Sequence, residues 1–168
     1  MPEGDTIFRS AATLHRVLAG RLVVHVESAV AEVRPARLVN HRITSVASRG
    51  KWLLIHFDHG LVLLTHMRMH GSWHTYPRGE RWRRPRTAMR LVIATDEAEA
   101  VAFDVPVIEL REERELSAHP SLSRLGPDLL AHDVDLATAV ANLRRLDTTP
   151  VAEALLAQRA LAGTGNVF

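Results

Sequence analysis

The order of apolar and polar residues along the chain predicts one helix followed by a series of short strands. In residues 7–20 the apolar positions recur every three or four residues, the spacing of an amphipathic helix. Residues 21–113 instead contain short runs rich in leucine and β-branched residues, separated by turns such as Arg49-Gly50 and Asp58-His59-Gly60. These runs predict six strands, at residues 22–30, 43–47, 52–57, 61–67, 89–94 and 101–110. Consecutive short strands with tight turns favour antiparallel sheets, so we expect a β-sandwich.

After residue 114 the pattern changes to helices. One amphipathic stretch contains Leu130, Leu136, Val140 and Leu143, and Thr149-Pro150 predicts the start of a second helix, because proline is tolerated in a first turn. The apolar side of that helix continues to Ala160. The expected fold class is therefore α+β: an N-terminal helix and an antiparallel β-sandwich in residues 1–113, then a helical module in residues 114–168.

Composition narrows the class of protein. The 168 residues contain apolar material sufficient for a core, no apolar run that could span a bilayer and no secretion signal, so we expect a cytoplasmic protein with no membrane partner. The absence of cysteine excludes disulfides and thiolate chemistry in this chain. The net charge is only +2, but the basic residues are nearly all arginine, which suits phosphate binding.

The first residues carry a possible nucleophile. If Met1 is removed, Pro2 becomes terminal and its ring nitrogen is a free secondary amine. Attack of such an amine on an aldehyde carbon gives an iminium, a strong electron sink for elimination, and Glu3 could transfer the protons. The alternative is that Pro2-Glu3-Gly4-Asp5 only forms a turn ahead of the first helix.

Two further segments suggest contact with an anion. Lys51 is the only lysine among 21 Lys+Arg residues, and it follows the glycine turn Arg49-Gly50. Guanidinium stays protonated at ordinary pH, so a single lysine is a candidate for a position where a transferable proton is needed. Residues 78–86, which include Arg83 and Arg84 around Trp82, predict an exposed basic loop that either is solvated or contacts a nucleic-acid backbone. The spacing of His66, His70 and His74 allows a shared strand face, but no acidic partner supports a metal site there.

A glycine-rich break follows the last predicted helix. Gly163-Thr164-Gly165-Asn166 offers backbone N–H groups and an amide to an anion such as a DNA phosphate. As an isolated pattern it is weak, because most such glycines only end helices.

Considered together, several motifs make the chain resemble the formamidopyrimidine-DNA glycosylase/endonuclease VIII family. They occur in the family's order along the whole chain: Pro2-Glu3-Gly4-Asp5, Ser48-Arg49-Gly50-Lys51, His66-Met67-Arg68-Met69-His70-Gly71, Leu125-Gly126-Pro127-Asp128, Leu155-Leu156-Ala157-Gln158-Arg159 and Leu161-Ala162-Gly163-Thr164-Gly165-Asn166. The opening tetrapeptide resembles the endonuclease VIII branch more than the formamidopyrimidine branch.

The resemblance implies a β-sandwich followed by a helix-two-turn-helix module, with damaged or abasic double-stranded DNA bound between them. It implies a base-excision enzyme that flips out an oxidised base, expected to be a pyrimidine, and nicks the strand by β/δ-elimination. At matching positions the resemblance implies that Pro2 is the Schiff-base nucleophile and Glu3 the acid/base group. It implies that Lys51 contacts a phosphate and donates a proton, and that Asn166, with Gly165 beside it, is a phosphate ligand. Met69 would fill the gap left by the base, with Arg68 and His70 as weaker candidates for the same task.

The chain departs from the family at two places. The arginine that usually stands in the region matching residues 103–106, where it reaches the orphaned base, is missing, and so is the four-cysteine zinc finger that usually follows the helical module. Either the chain is a fragment of a longer protein or its function is reduced, with little excision of an intact oxidised base. We expect no cofactor in this chain and a monomer associated with the nucleoid. The alternatives are a non-catalytic module that binds damaged DNA and, ranked lower, a tautomerase that uses an N-terminal proline as its base.

Overall fold

The computed structural model describes residues 4–165 and consists of a β-sandwich followed by short helices, which confirms the predicted fold class. Helix α1 spans Gly4–Leu18, with Ile7, Ala11, Leu14 and Leu18 buried on one face. The strands are β1 His25–Ser28, β2 Ile43–Arg49, β3 Trp52–Phe57, β4 Leu61–His66, β5 Ser72–Pro77, β6 Met89–Ala94, β7 Ala98–Phe103 and β8 Val107–Glu112. Helices α2, Leu136–Arg144, and α3, Val151–Leu156, follow them.

The strands form two four-stranded antiparallel sheets. One has the order β1-β6-β7-β5, here called the first sheet, and the other has the order β2-β3-β4-β8, here called the second sheet. The apolar face of α1 packs against strands of both sheets. The main core therefore lies between the sheets and under α1, and it includes Ile7, Leu14, Ile43, Leu53, Ile55, Leu63, Leu91 and Ile93.

Strands β3 and β4 are almost continuously apolar because both of their faces are buried. Trp52, Leu54, Val62 and Leu64 point away from the main core and pack under Leu116 and Leu122 of the segment that leaves the sandwich. The hairpin that carries Lys51 is thus held from both sides.

The predicted strand at residues 101–110 is wrong. It divides into β7 and β8, which belong to different sheets, because the chain turns at Asp104, where φ is +50°. Strand β5 was not predicted, since Ser72, His74 and Thr75 hide its alternation. The predicted second helix is also too long: α3 ends at Leu156, not Ala160.

Candidate active site

The start of α1 lies directly against the glycine-rich loop at residues 163–165. A Cβ atom added at Gly4 would overlap the carbonyl oxygen of Gly163, so only glycine allows the two backbones to approach this closely. Pro2 and Glu3 themselves lie outside the described residues, as does Asn166. The residue that immediately follows Pro2-Glu3 is nevertheless in contact with the loop that precedes Asn166.

The β2–β3 turn meets the same region through Asp128. Gly50 has a φ of +59°, and its N–H donates to Oδ2 of Asp128 at 2.6 Å. A Cβ at this position would press on the side chain of Leu125 at 3.2 Å. Lys51, half-buried, is the next residue and so is presented beside this junction.

Asp128 also pairs with the segment that leads into the 163–165 loop. It forms an isolated parallel bridge with Ala162, whose N–H donates to the carbonyl of Pro127. Its Oδ1 accepts the N–H of Leu130 at 2.9 Å and lies directly against Gly163. One carboxylate therefore joins the Lys51 hairpin to the glycine-rich loop.

Gln158 shapes the other side of that loop. Its Nε2 donates to the carbonyl of Thr164 at 2.7 Å, and its Oε1 accepts the N–H of Gly163 at 3.3 Å. The hydroxyl of Thr164 donates to the carbonyl of Leu155 at 2.7 Å. These bonds satisfy the polar groups at the end of α3 and explain why the chain leaves the helix early.

The electrostatic environment of Lys51 involves His66 at the end of β4. Burial lowers the pKa of His66 from its ordinary value of 6.5, and the positive charges of Arg68 and Lys51 lower it further. The His66 ring packs edge-on against Trp52, with 5.1 Å between ring centroids. A neutral imidazole therefore faces the region of Lys51 at neutral pH.

Trp52 is held in turn by His119. The two rings meet edge-on at 5.2 Å, and Nδ1 of His119 accepts the backbone N–H groups of Ser121 and Leu122. Because Nδ1 accepts, the proton of a neutral His119 is on Nε2, which faces Glu109 at 3.4 Å.

The loop between β4 and β5 presents an exposed methionine. Arg68 adopts a left-handed conformation with φ of +49°, the N–H of Gly71 donates to the carbonyl of Met67 at 2.9 Å, and Met69 is 57% exposed at the tip. Arg68 and His70 flank it and are also exposed. An apolar tip on a closed, strained turn is suited to insertion into a base stack.

The basic loop at residues 78–86 is exposed, as predicted, except that Trp82 and Arg84 are half-buried. Trp82 packs against Phe103 on the outer face of the first sheet, and its Nε1 donates to Glu99 at 3.1 Å. Arg83 is exposed, and its contact with a DNA phosphate stays a prediction.

Arg84 is instead tied to its own protein. Its guanidinium pairs with the carboxylate of Asp104 and donates to Oγ of Ser72 at 3.1 Å. The positive charge of Arg84 is therefore largely neutralised.

Sequence analysis gave no role to Asp128, Gln158, His119 or Asp104. Asp128 and Gln158 each lie within a motif that carries the family resemblance, so a polar side chain inside the motif was the available signal. For Asp104, and for the contact of His119 with Trp52, no local pattern marks the pairing, because Arg84 and Trp52 are distant in sequence.

Comparisons with known proteins agree with the geometry. The model of the formamidopyrimidine-DNA glycosylase N-terminal domain matches residues 1–106. The chain is 38% identical to a probable endonuclease 8 2 of Streptomyces coelicolor over 169 residues, which covers 100% of this chain and 60% of the relative. It is 33% identical to the DNA-(apurinic or apyrimidinic site) lyase Nei2 of Mycolicibacterium smegmatis, and 33% identical to endonuclease 8 of Escherichia coli, covering 64% of each.

A solved structure shares the fold. The Lactococcus lactis Fpg in a complex with an abasic site containing DNA superposes with a TM-score of 0.78 at 19% identity, over 99% of this chain and 63% of that one. The chain thus spans 60–64% of the length of these relatives. No helix in residues 4–165 is long and apolar enough to cross a membrane.

Proposed function

Because the chain belongs to the formamidopyrimidine-DNA glycosylase family, we propose that it is a bifunctional DNA glycosylase and abasic-site lyase of base excision repair. Its substrates are oxidised bases, with pyrimidines expected first, and abasic sites in double-stranded DNA. The names of the relatives, endonuclease 8 and DNA-(apurinic or apyrimidinic site) lyase, support this class of reaction.

One observation carries the proposal: Gly4 contacts Gly163, and Gly50 is bonded to Asp128, which itself contacts Gly163. The start of α1, the turn that precedes Lys51 and the loop at residues 163–165 therefore meet, and Pro2 and Asn166 stand in the sequence two residues before Gly4 and one residue after Gly165. A nucleophile, a proton donor and a phosphate ligand are what strand cleavage at a sugar requires.

The chemistry assigned to Pro2 is covalent. The lone pair of its nitrogen forms a bond to C1′ of the deoxyribose while the bond to the damaged base breaks, and the base leaves with that electron pair and takes up a proton. The sugar ring opens, O4′ takes a proton from Glu3, and the amine loses its own proton to give an iminium. Helix α1 begins at Gly4, and its positive N-terminal end favours an unprotonated amine and an ionised Glu3 nearby.

Strand cleavage follows from the iminium. Loss of a C2′ proton turns the iminium into an enamine, as the C=N electron pair moves onto nitrogen. The return of that pair expels the 3′ phosphate and leaves a conjugated iminium, and a second elimination, with loss of the C4′ proton, expels the 5′ phosphate. Water then hydrolyses the iminium and releases Pro2. Lys51 contacts the phosphate and supplies a proton, while Asn166 and Gly165 hold a neighbouring phosphate.

The remaining assignments concern the DNA. Met69 fills the space vacated by the flipped base, with Arg68 and His70 beside it, and Arg83 contacts the backbone. The protein acts as a monomer in the nucleoid. The Lactococcus lactis protein of similar fold was solved with abasic DNA, which supports DNA as the partner.

Borohydride trapping on abasic DNA tests the proposal sharply, because Lys51 is the only lysine and the chain offers just two amines. We expect a reduced adduct that maps to the N-terminal peptide, is sharply lowered in Pro2→Gly and persists in Lys51→Met. Equal trapping when Met1 is retained, or an adduct on Lys51, would show that Pro2 is not the nucleophile. Tight binding of damaged DNA without any adduct would favour the non-catalytic module.

A further inference from the structure

Three side chains with metal-binding atoms meet at the far end of the second sheet. His41 lies just before β2, and Asp58 and His59 form the β3–β4 turn, at the opposite end of β3 from Lys51. Nδ1 of His41 is 3.1 Å from Oδ1 of Asp58, and Nδ1 of His59 is 3.6 Å from the same oxygen. One ligand atom from each residue lies within 4.8 Å of the other two.

These separations match the spacing of ligands around one small ion. In a tetrahedral zinc site with bonds of about 2.0–2.1 Å, neighbouring ligand atoms are about 3.3 Å apart. The observed distances of 3.1 and 3.6 Å lie on either side of that value. Two imidazoles and one carboxylate are also a ligand set typical of zinc sites with an open position.

The tautomer of His59 gives an independent argument. Its Nε2 is 2.9 Å from the carbonyl oxygen of Arg37, which can only accept, so Nε2 carries a proton. In a neutral ring the lone pair of Nδ1 then faces the Asp58 carboxylate, and two acceptors oppose each other. A cation between them relieves this opposition. A histidine whose other nitrogen donates to a backbone carbonyl is also the usual arrangement around metal-bound imidazoles.

A second proton on His59 is the competing way to relieve it. The rings of His41 and His59 are stacked, with centroids 3.4 Å apart and planes 12° apart, so a proton on each ring would place two like charges face to face, whereas one shared cation would not.

The surroundings leave room for water ligands. A depression of about 560 Å³ adjoins His41 and His59, and its other charged lining residues are Arg37, Glu112, Glu113 and Arg114. All three candidate ligands are partly exposed, which leaves the two rings free to rotate out of their parallel stack and direct both lone pairs at one ion.

We propose that His41, Asp58 and His59 form a binding site for a divalent first-row transition ion, with zinc the best match. The three side chains supply three ligands, water completes the shell, and the carbonyl of Arg37 orients His59. The ion would tie the 37–41 segment to the β3–β4 turn, so its role is structural and separate from the DNA chemistry.

Zinc titration of the untagged, chelator-stripped full chain tests the site, with a chromophoric chelator as competitor at pH 7.5. We expect one zinc ion per chain and a rise in Tm, with affinity lowered at least tenfold in His41→Gln, His59→Gln and Asp58→Asn. The matched control is His132→Gln, because His132 and Asp133 form a similar pair, 3.2 Å apart, but with both side chains 99% exposed and no third ligand.

Absence of zinc binding, or affinity unchanged by the His41 and His59 variants, would overturn the proposal. Circular dichroism of each variant checks that it is folded. If the variants unfold, the folded wild type still decides: ¹H–¹⁵N spectra of its histidine rings should show zinc-dependent shifts at His41 and His59, and shifts confined to other histidines would overturn the site.

Discussion

At the scale of single residues, Lys51 is the position where charge and proton transfer are most closely linked. It is the only lysine, it follows the turn that Gly50 bonds to Asp128, and its charge acts on the buried ring of His66. Lysine and arginine differ here because guanidinium does not release its proton at ordinary pH.

Substituting Lys51 in two ways separates its charge from its proton. Lys51→Arg keeps the charge, so we expect DNA binding and the pKa of His66 to stay the same while elimination slows. Lys51→Met removes the charge, so the pKa of His66 should rise toward 6.5. The rise should be partial, since burial is the larger cause of the lowered pKa. The salt slope of DNA binding should fall by about one unit. NMR titration of the histidines and single-turnover elimination measure the two effects.

His74 is the internal control for this titration. Its pKa is lowered by burial and by Arg84 and Arg83, not by Lys51, and should not change in either variant. If Lys51→Arg eliminates as fast as the wild type, Lys51 is a phosphate contact only.

The same pKa shift makes stability depend on pH. His66 has a lower pKa in the folded state, so below about pH 6.5 the unfolded chain takes up the proton first and the free energy of unfolding falls. The fall ends once the pH is below the folded pKa. In Lys51→Met this loss should be smaller, because the folded pKa is closer to 6.5.

At the scale of secondary-structure elements, the break between β7 and β8 decides where an arginine stands. The chain crosses from the first sheet to the second at residues 104–106, the region where the family resemblance implies an arginine and none occurs. The basic loop before β6 reaches this turn through the pair of Arg84 with Asp104. Arg84 therefore brings an arginine to the same turn from a different element. It also donates to Ser72, the residue directly after the loop that carries Met69.

We predict that Arg84 and Arg83 affect DNA binding differently. Arg84 is neutralised by Asp104, so Arg84→Gln should change the preference for the base opposite the lesion several-fold and leave the salt slope nearly unchanged. Arg83→Gln removes an exposed charge, so it should weaken binding to all duplexes alike and lower the slope by about one unit. Binding to a set of duplexes with each opposing base, at several salt concentrations, measures both.

The matched control is Arg86→Gln, which breaks a similar exposed pair, with Glu27, further along the loop. Breaking a partly exposed pair costs about 0–1 kcal/mol, so each variant should stay folded. Identical profiles for Arg84→Gln and Arg83→Gln would mean that Arg84 is an ordinary phosphate contact.

At the scale of the whole molecule, the sandwich and the helical part meet at one carboxylate. Asp128 accepts N–H groups from Gly50 on one side and Leu130 on the other. Leu125 packs beside Gly50, and Leu116 and Leu122 cover the outer face of the second sheet. Apolar burial supplies most of the attachment, while the two directed bonds fix its register.

Removing the Asp128 carboxylate should loosen this junction. Asp128→Ala leaves the part-buried N–H of Gly50 without its acceptor, whereas the exposed N–H of Leu130 can bond to water. We therefore expect a loss of about 1–3 kcal/mol in the free energy of unfolding and slower elimination, because Lys51 is presented by the same turn. Asp128→Asn keeps one acceptor oxygen and should lose less. Urea unfolding at constant m-value and single-turnover assays check this.

Asp133→Ala, at a 99% exposed position in the same segment, should change neither quantity. Normal stability and turnover in Asp128→Ala would show that apolar packing alone holds the two parts together.

Much of the local structure follows from nearest-neighbour preferences. The apolar face of α1 and the runs of β3, β4 and β6 are read directly from the chain, because helix and strand periodicity is a property of residues a few positions apart. The family motifs likewise indicated turns that the structure contains, since glycine and proline mark turns that few other residues allow. These include the turn at Gly50 and the loop at residues 163–165.

Contacts between distant segments could not be read in this way. Three of these contacts depend on which surfaces pack together. They are the turn at Asp104 into another sheet, the pairing of Arg84 with a carboxylate, and the link that Asp128 makes between Gly50 and the 163–165 loop. The same holds for His41 and the pair Asp58-His59. Strands β2 and β3 separate them along the chain, and they become neighbours only when these strands pair. Local preferences are set by the chain itself, whereas these pairings are set by burial of the common core, which involves every element at once.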